Sequence, residues 1–156
     1  MEYTIDHVGE ELTDAVTEAF ENMAFTEVES CEDVEEIPGD LDAFYVTLDT
    51  QAPFRSAVTL IVERDVSEEL VMDMYGGDIE EVNDEIMTDA LGEIGNTIVG
   101  RFLANVVDNK EEFSLGFPDC QPYKPEERTW QAGEGTRIYD LDMDEYHVYC
   151  ILEWRN

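Results

Sequence analysis

The sequence predicts an α+β protein: a single domain over residues 1–156, its mostly antiparallel sheet packed against two long helices. Three observations lead there. Two stretches, one near the start and one in the middle, carry apolar residues at helical spacing. Several shorter runs are β-prone and alternate, and turn residues separate them. With 156 residues and 43% hydrophobic content, the chain is large enough to bury about two-thirds of its unfolded surface. Its apolar residues come in periodic runs rather than the sparse, diffuse pattern of a disordered chain.

In chain order, Val8 to Met23 reads as an amphipathic helix, with Leu12, Ala15, Val16, Ala19, Phe20 and Met23 along one face. Glu29 to Asp40 is acidic and closes on Pro38-Gly39, which suits a loop or an irregular strand. Ala43 to Leu48 and Arg55 to Glu63 are strands, joined through Gln51-Ala52-Pro53 as a hairpin. Ser67 is placed as the N-cap of a short helix through Met74, stopped by Gly76-Gly77. The longest helical pattern runs from Asp78 to about Val107, with a break placed near Asn83. Glu111 to Phe117 is expected to be a strand ending at Pro118, and Asp119 to Gly135 a long loop. Arg137 to Leu141 and Tyr146 to Trp154 are the closing strands. No internal repeat and no linker divides the chain.

Charge narrows the function. Forty acidic residues against eight basic ones leave a formal net charge of −32. Nucleic acid would be repelled, since such binding draws on Lys and Arg to neutralise phosphates. An anionic membrane surface is disfavoured for the same reason. The acids are spread along the whole chain, which suits solubility or a salty cytoplasm better than steering of one cationic partner. Cys31, Cys120 and Cys150 are odd in number and far apart, unlike a zinc site or a disulfide framework. The first residues lack the pattern of a signal peptide, and no apolar run reaches the roughly 18 residues that span a bilayer. The expected location is the cytoplasm.

Familiar catalytic constellations are missing. The two histidines, His7 and His147, stand apart, and His147 lies in an aromatic strand where a half-buried sheet residue is expected rather than a catalyst. No nucleophile–base pair and no phosphate-binding glycine pattern is found. Asp140, Asp142, Asp144 and Glu145 invite calcium but lack the glycine and distal glutamate of an EF-hand loop, so a solvated turn is expected.

The informative segment is Asp89-Ala-Leu-Gly-Glu-Ile-Gly-Asn-Thr-Ile-Val-Gly100. At 100° per residue, Asp89, Glu93, Asn96 and Gly100 fall within an arc of roughly 60°. Leu91, Ile94, Ile98 and Phe102 gather on the opposite side. Glu93 and Asn96 therefore project together from an open face backed by a packed one. Gly92, Gly95 and Gly100 each cost about 1 kcal/mol relative to Ala inside a helix, and close approach of another backbone is the expected reason. The pair alone says little: with 24 Glu and six Asn, roughly one Glu-x-x-Asn is expected by chance. Three occur, at Glu80/Asn83, Glu93/Asn96 and Glu153/Asn156, and only the middle one sits in a glycine-marked helix with an apolar reverse face.

Asp89-x-x-x-Glu93-x-x-Asn96-x-x-x-Gly100, with Gly-Glu-Ile-Gly-Asn at its centre and Pro118 following at a strand end, resembles the signature of the CheC/CheX/FliY phosphatase family. Phe20-x-x-Met23 in the first helix resembles that family's opening helix. The N-terminal helix carries no second copy of the motif, which points to the single-site CheX type and a CheX/CheC-like fold.

The resemblance implies a substrate, the aspartyl-phosphate of a CheY-like receiver domain in chemotaxis or another two-component pathway. It implies that Asn96 orients the attacking water and that Glu93 pairs with the receiver's active-site lysine. Asp89 supports the helix or rims the interface, alongside the helix glycines Gly92, Gly95 and Gly100. The chain needs no cofactor of its own, because the receiver supplies Mg²⁺. A homodimer is expected, with Tyr146 to Trp154 as an edge strand available for it. Two other readings stay open: a non-catalytic module of the same fold that binds a receiver or the flagellar switch, and a structural acidic protein in which the motif is coincidental.

Overall fold

The computed structural model describes residues 3–23, 27–74, 83–107, 112–143 and 146–155. The elements are α1 (Ile5–Met23), β1 (Ser30–Val34), β2 (Ala43–Ala52), β3 (Arg55–Glu63), α2 (Arg64–Met74), α3 (Asp84–Val106), β4 (Ser114–Leu115), β5 (Asp119–Pro122), β6 (Thr136–Met143) and β7 (Tyr146–Arg155). They form one antiparallel sheet in the order β1-β6-β7-β3-β2-β4, with β5 also paired to β2. The α+β architecture of a sheet against two long helices, α1 and α3, is what the periodicity predicted.

α1 starts earlier than its apolar stripe because Thr4 caps it: the His7 N–H donates to Thr4 Oγ1 at 3.3 Å. Val8, Leu12, Ala15, Val16, Ala19 and Phe20 are all buried, forming one face against the sheet and α3. The β2–β3 hairpin pairs Ala43 with Glu63 through to Thr50 with Ser56, and the Ala52–Pro53 peptide bond is cis. Alternate residues of both strands point to opposite faces. Phe44, Val46, Leu48, Val58, Leu60 and Val62 belong to the core under the helices. Tyr45 and Ile61 belong to a second, smaller core on the outer face.

Several expectations are corrected. Ser67 is not an N-cap, because β3 runs directly into α2 at Arg64; the Arg64 N–H donates to the Asp42 carbonyl at 2.8 Å and turns the chain. Ser67 lies inside the helix, and its hydroxyl donates back to the Glu63 carbonyl at 3.0 Å. The expected strand over Glu111–Phe117 shrinks to Ser114–Leu115, and the expected loop from Asp119 begins as a strand, β5. Both pair with β2, whose outer edge needs partners. Pro122, at the end of β5, is tolerated because that strand is an edge.

Asp140 and Asp142 are not in a solvated turn but inside β6, opposite Tyr149 and His147. The strand Tyr146–Trp154 is no edge either: β7 lies between β6 and β3, with Val148, Cys150, Ile151 and Leu152 buried. A strand paired on both sides has no backbone groups left for a second chain. The side chain of Met23, Gly76-Gly77, Asp78 to Val82, Glu111, Asp144 and Glu145 lie outside the described residues.

Candidate functional site

α3 is held at its start by complementary charge and capping. Asn83 Oδ1 accepts the Ile86 N–H at 2.9 Å, and Asp84 and Glu85 in the first turn suit the positive end of the helix dipole. Asn83 thus begins the helix, where the periodicity placed a break. Arg64 then ties the helix start to the sheet, with Nε 3.1 Å from Asp42 Oδ1 and Nη1 3.2 Å from Asp84 Oδ1. Its guanidinium also lies 4.7 Å from the centre of the Phe44 ring.

Most of α3 is buried. Leu91, Ile94, Ile98 and Phe102 are all under 5% exposed and point into the core. What stays open is the stripe carrying Asp89, Glu93 and Asn96, all three exposed. Among the described residues, the Glu93 and Asn96 side chains have no hydrogen-bond partner. The Thr97 hydroxyl uses the Glu93 carbonyl at 2.9 Å and leaves its carboxylate alone. A carboxylate and a carboxamide one turn apart, both free, face out from a backbone that cannot easily move.

These side chains form one wall of an open groove of about 570 Å³. The other wall, Leu115 to Gln121, comes from the β4–β5 segment. The two walls meet at Gly92: a Cβ there would stand in ordinary contact with Pro118 Cγ, at 3.5 Å, so the proline lies against that turn of the helix. Gly95 faces the sheet instead, where a Cβ would come within 3.1 Å of both Val46 methyls and 3.2 Å of Leu48. The close neighbours at both glycines are side chains, not backbone. Gly100 has no atom within 4 Å of a Cβ position. The expected approach of another backbone is therefore met at none of the three: Gly95 answers tightly packed side chains, Gly92 only an ordinary contact with Pro118, and Gly100, on the open stripe, nothing.

The groove's own thiol is inert. Burial pushes the Cys120 pKa up to about 12, with Asp119 and Asp89 adding to it, so almost no thiolate exists near neutral pH. Asp89, Glu93 and Asp119 bring three carboxylates to the groove, yet among the described residues no group of three His, Cys, Asp or Glu converges as a metal site. The second wall was hardly legible in the sequence. Pro118 was the one residue of it that the family signature singled out, and β5 lacks the apolar alternation that marks a strand.

An open groove, with Glu93 and Asn96 on one wall lacking hydrogen-bond partners among the described residues, is shaped to admit a broad surface rather than to enclose a small molecule. The family model for the chemotaxis phosphatase CheX matches residues 44–135, more than half of the chain. The chain belongs to the CheX family. The fold is shared with several solved structures. CheX from Desulfovibrio desulfuricans superposes with a TM-score of 0.71 at 13% identity, covering 96% of this chain and 99% of that one. A CheC-like superfamily protein from Shewanella sp. PV-4 gives 0.71 at 17% identity, covering 99% and 100%. The CheX–CheY–BeF₃–Mg²⁺ complex from Borrelia burgdorferi gives 0.69 at 16% identity, covering 94% and 97%. No curated protein sequence matches the chain.

Proposed function

We propose that this protein accelerates hydrolysis of the aspartyl-phosphate of a CheY-like response regulator, acting in the cytoplasm. The observation that carries the reading is the free Glu93/Asn96 pair on the fixed face of α3, on one wall of a groove open to a partner. That a family relative is known in complex with CheY, BeF₃ and Mg²⁺ supports the choice of partner.

In this reading Asn96 enters the receiver's active site. Its carboxamide oxygen accepts a hydrogen bond from a water and holds it in line with the acyl phosphate. The water oxygen bonds to phosphorus as the bond to the aspartyl oxygen breaks, leaving inorganic phosphate and the free aspartate. An amide takes no proton here and brings no negative charge toward the phosphoryl group. Phosphoryl transfer depends mainly on positioning and electrostatics, so an orienting group is enough to matter. Glu93 pairs with the receiver's lysine and sets the register of the two proteins. Asp89 rims the contact. The receiver's own Mg²⁺ supplies charge neutralisation at the phosphoryl oxygens, and this chain contributes no ligand to it. Homodimerisation by sheet extension falls to β1, the exposed strand at the β6 edge.

The test is phosphate release from phosphorylated receivers of the same organism, at low and at high salt, because a chain at −32 repels an acidic receiver surface until salt screens it. Asn96→Ala is expected to lower the accelerated rate by about 100-fold. Glu93→Ala is expected to weaken receiver affinity by about tenfold or more. Full activity in Asn96→Ala would overturn the assignment. Receiver binding without acceleration in the wild type would leave a non-catalytic docking module.

A further inference from the structure

Phe117 is 96% exposed; among the described residues the other exposed large apolar side chain is Phe113, at 42%. A lone exposed apolar residue is ordinary, so the exposure by itself means little. Its setting is what matters. The backbone is pinned on both sides of it. Leu115 pairs with Thr50, and the Gly116 N–H donates to the Asp49 carbonyl at 2.8 Å. Pro118 lies against Gly92 of α3, and Asp119 pairs with Thr47. The ring therefore projects from a fixed point while making little contact with its own chain. That point is on the wall of the groove opposite Glu93 and Asn96, at its lip.

Two physical arguments select an occupant. Any partner that brings a phosphorylated side chain to Asn96 must cover the opposite lip, because both line one groove. At a net charge of −32, long-range electrostatics cannot supply affinity for an acidic surface. An aromatic ring on a fixed backbone can, since it has only two side-chain torsions to lose on burial and aromatic residues dominate binding energetics at interface centres.

We infer that Phe117 is the aromatic anchor that seats the receiver domain, inserting into an apolar depression beside the receiver's phosphorylation site and so setting the acyl phosphate over Asn96. It is a positioning residue. The inference rests on the phosphatase reading and adds to it the contact that makes docking possible.

The experiment compares steady-state phosphate release by the wild type, Phe117→Ala, Phe117→Leu and Asn96→Ala, with receiver affinity and oligomeric state measured on the same samples. Phe117→Ala is expected to raise KM and receiver Kd about tenfold while turnover at saturating receiver stays within about twofold. Phe117→Leu should recover most of the loss. The deficit should persist at high salt, because apolar burial is not screened. Unchanged KM and Kd in Phe117→Ala, beside an inactive Asn96→Ala, would sink the anchor and spare the phosphatase. An Asn96→Ala as active as the wild type would overturn the role given to Asn96, whereas unchanged receiver Kd in Phe117→Ala overturns the anchor whatever Asn96 does. Loss of a dimer in Phe117→Ala with Kd for the receiver unchanged would assign the ring to a self-contact and overturn the proposal.

Discussion

His147 and the Glu93/Asn96 pair show how differently polar residues are used across this molecule. On β7 the His147 Nδ1 lies 2.7 Å from Asp140 Oδ1, and its backbone N–H donates to Glu63 Oε2 at 2.8 Å. Asp142 on β6 and Tyr149 on β7 complete its surroundings. This is the half-buried sheet histidine expected from its strand, with its Nδ1 and its backbone N–H both in structural bonds. The hydrogen bond that its ring donates to the Asp140 carboxylate raises its pKa above 6.5, more than partial burial lowers it, and the Asp140, Asp142 and Glu63 charges add to the rise. A histidine with a raised folded pKa contributes stability that is complete below its unfolded value of about 6.5 and disappears as pH climbs through the folded value. Thermal melts of wild type and His147→Gln should therefore differ most near pH 6 and converge in mildly alkaline buffer. A gap that widens with pH would contradict this assignment. Glu93 and Asn96, by contrast, spend nothing on their own fold, which leaves both free for a partner.

At the scale of the element, α3 combines two demands that compete along one helix. It must pack tightly enough to be rigid and keep one stripe bare. Gly95 serves the packing: an added methyl would meet Val46 and Leu48 at 3.1–3.2 Å. Gly95→Ala is expected to destabilise the fold by about 1 kcal/mol, overpacking outweighing the gain in helix propensity. Gly100→Ala meets open space and should instead stabilise by up to about 1 kcal/mol. Chemical denaturation of the two variants checks the opposite signs. Gly9 in α1 belongs with Gly95, since its Cβ would collide with the Tyr139 hydroxyl. The long helix and its bare stripe were legible from the 3.6-residue period, as was the β2–β3 hairpin from its alternation. The two short strands facing the helix across the groove were not. Ser114–Leu115 and Asp119–Pro122 carry too few apolar residues to show a period, and they are strands because β2 offers them an edge.

Across the whole molecule the sheet is covered on both faces, although the three described helices lie on one of them. The outer face is closed by the chain from Tyr123 to Ala132. Trp130 packs edge-on to Tyr45 with ring centres 5.5 Å apart, and its Nε1–H donates to Glu153 Oε1 at 3.1 Å. The Arg128 guanidinium stacks over the Trp130 ring at 4.8 Å. With Trp130 only 6% exposed, Trp130→Ala should cost about 3 kcal/mol. A clear fall in Tm, with phosphate release unchanged at temperatures where the variant stays folded, is the expected result. A small fall would mean that this second core does little to hold the fold. The covering segment also carries Lys124 and Arg128, two of only eight basic residues in the chain.

The class of fold, the long helix and the face on which Glu93 and Asn96 stand together can be read from the chain alone, because these follow from periods over adjacent residues. Its motif also pointed to the family. Folding in three dimensions set the order of the strands, which puts β7 inside the sheet and β1 at its edge. It also decided that Asp140 and Asp142 lie in a ladder, that Trp130 closes the outer face, and that Leu115 to Gln121 form the second wall with Phe117 at its lip. Each of these depends on which distant segment supplies a hydrogen-bonding edge or an apolar surface. Such pairing is settled by the free energy of the whole assembly and leaves no period in the chain.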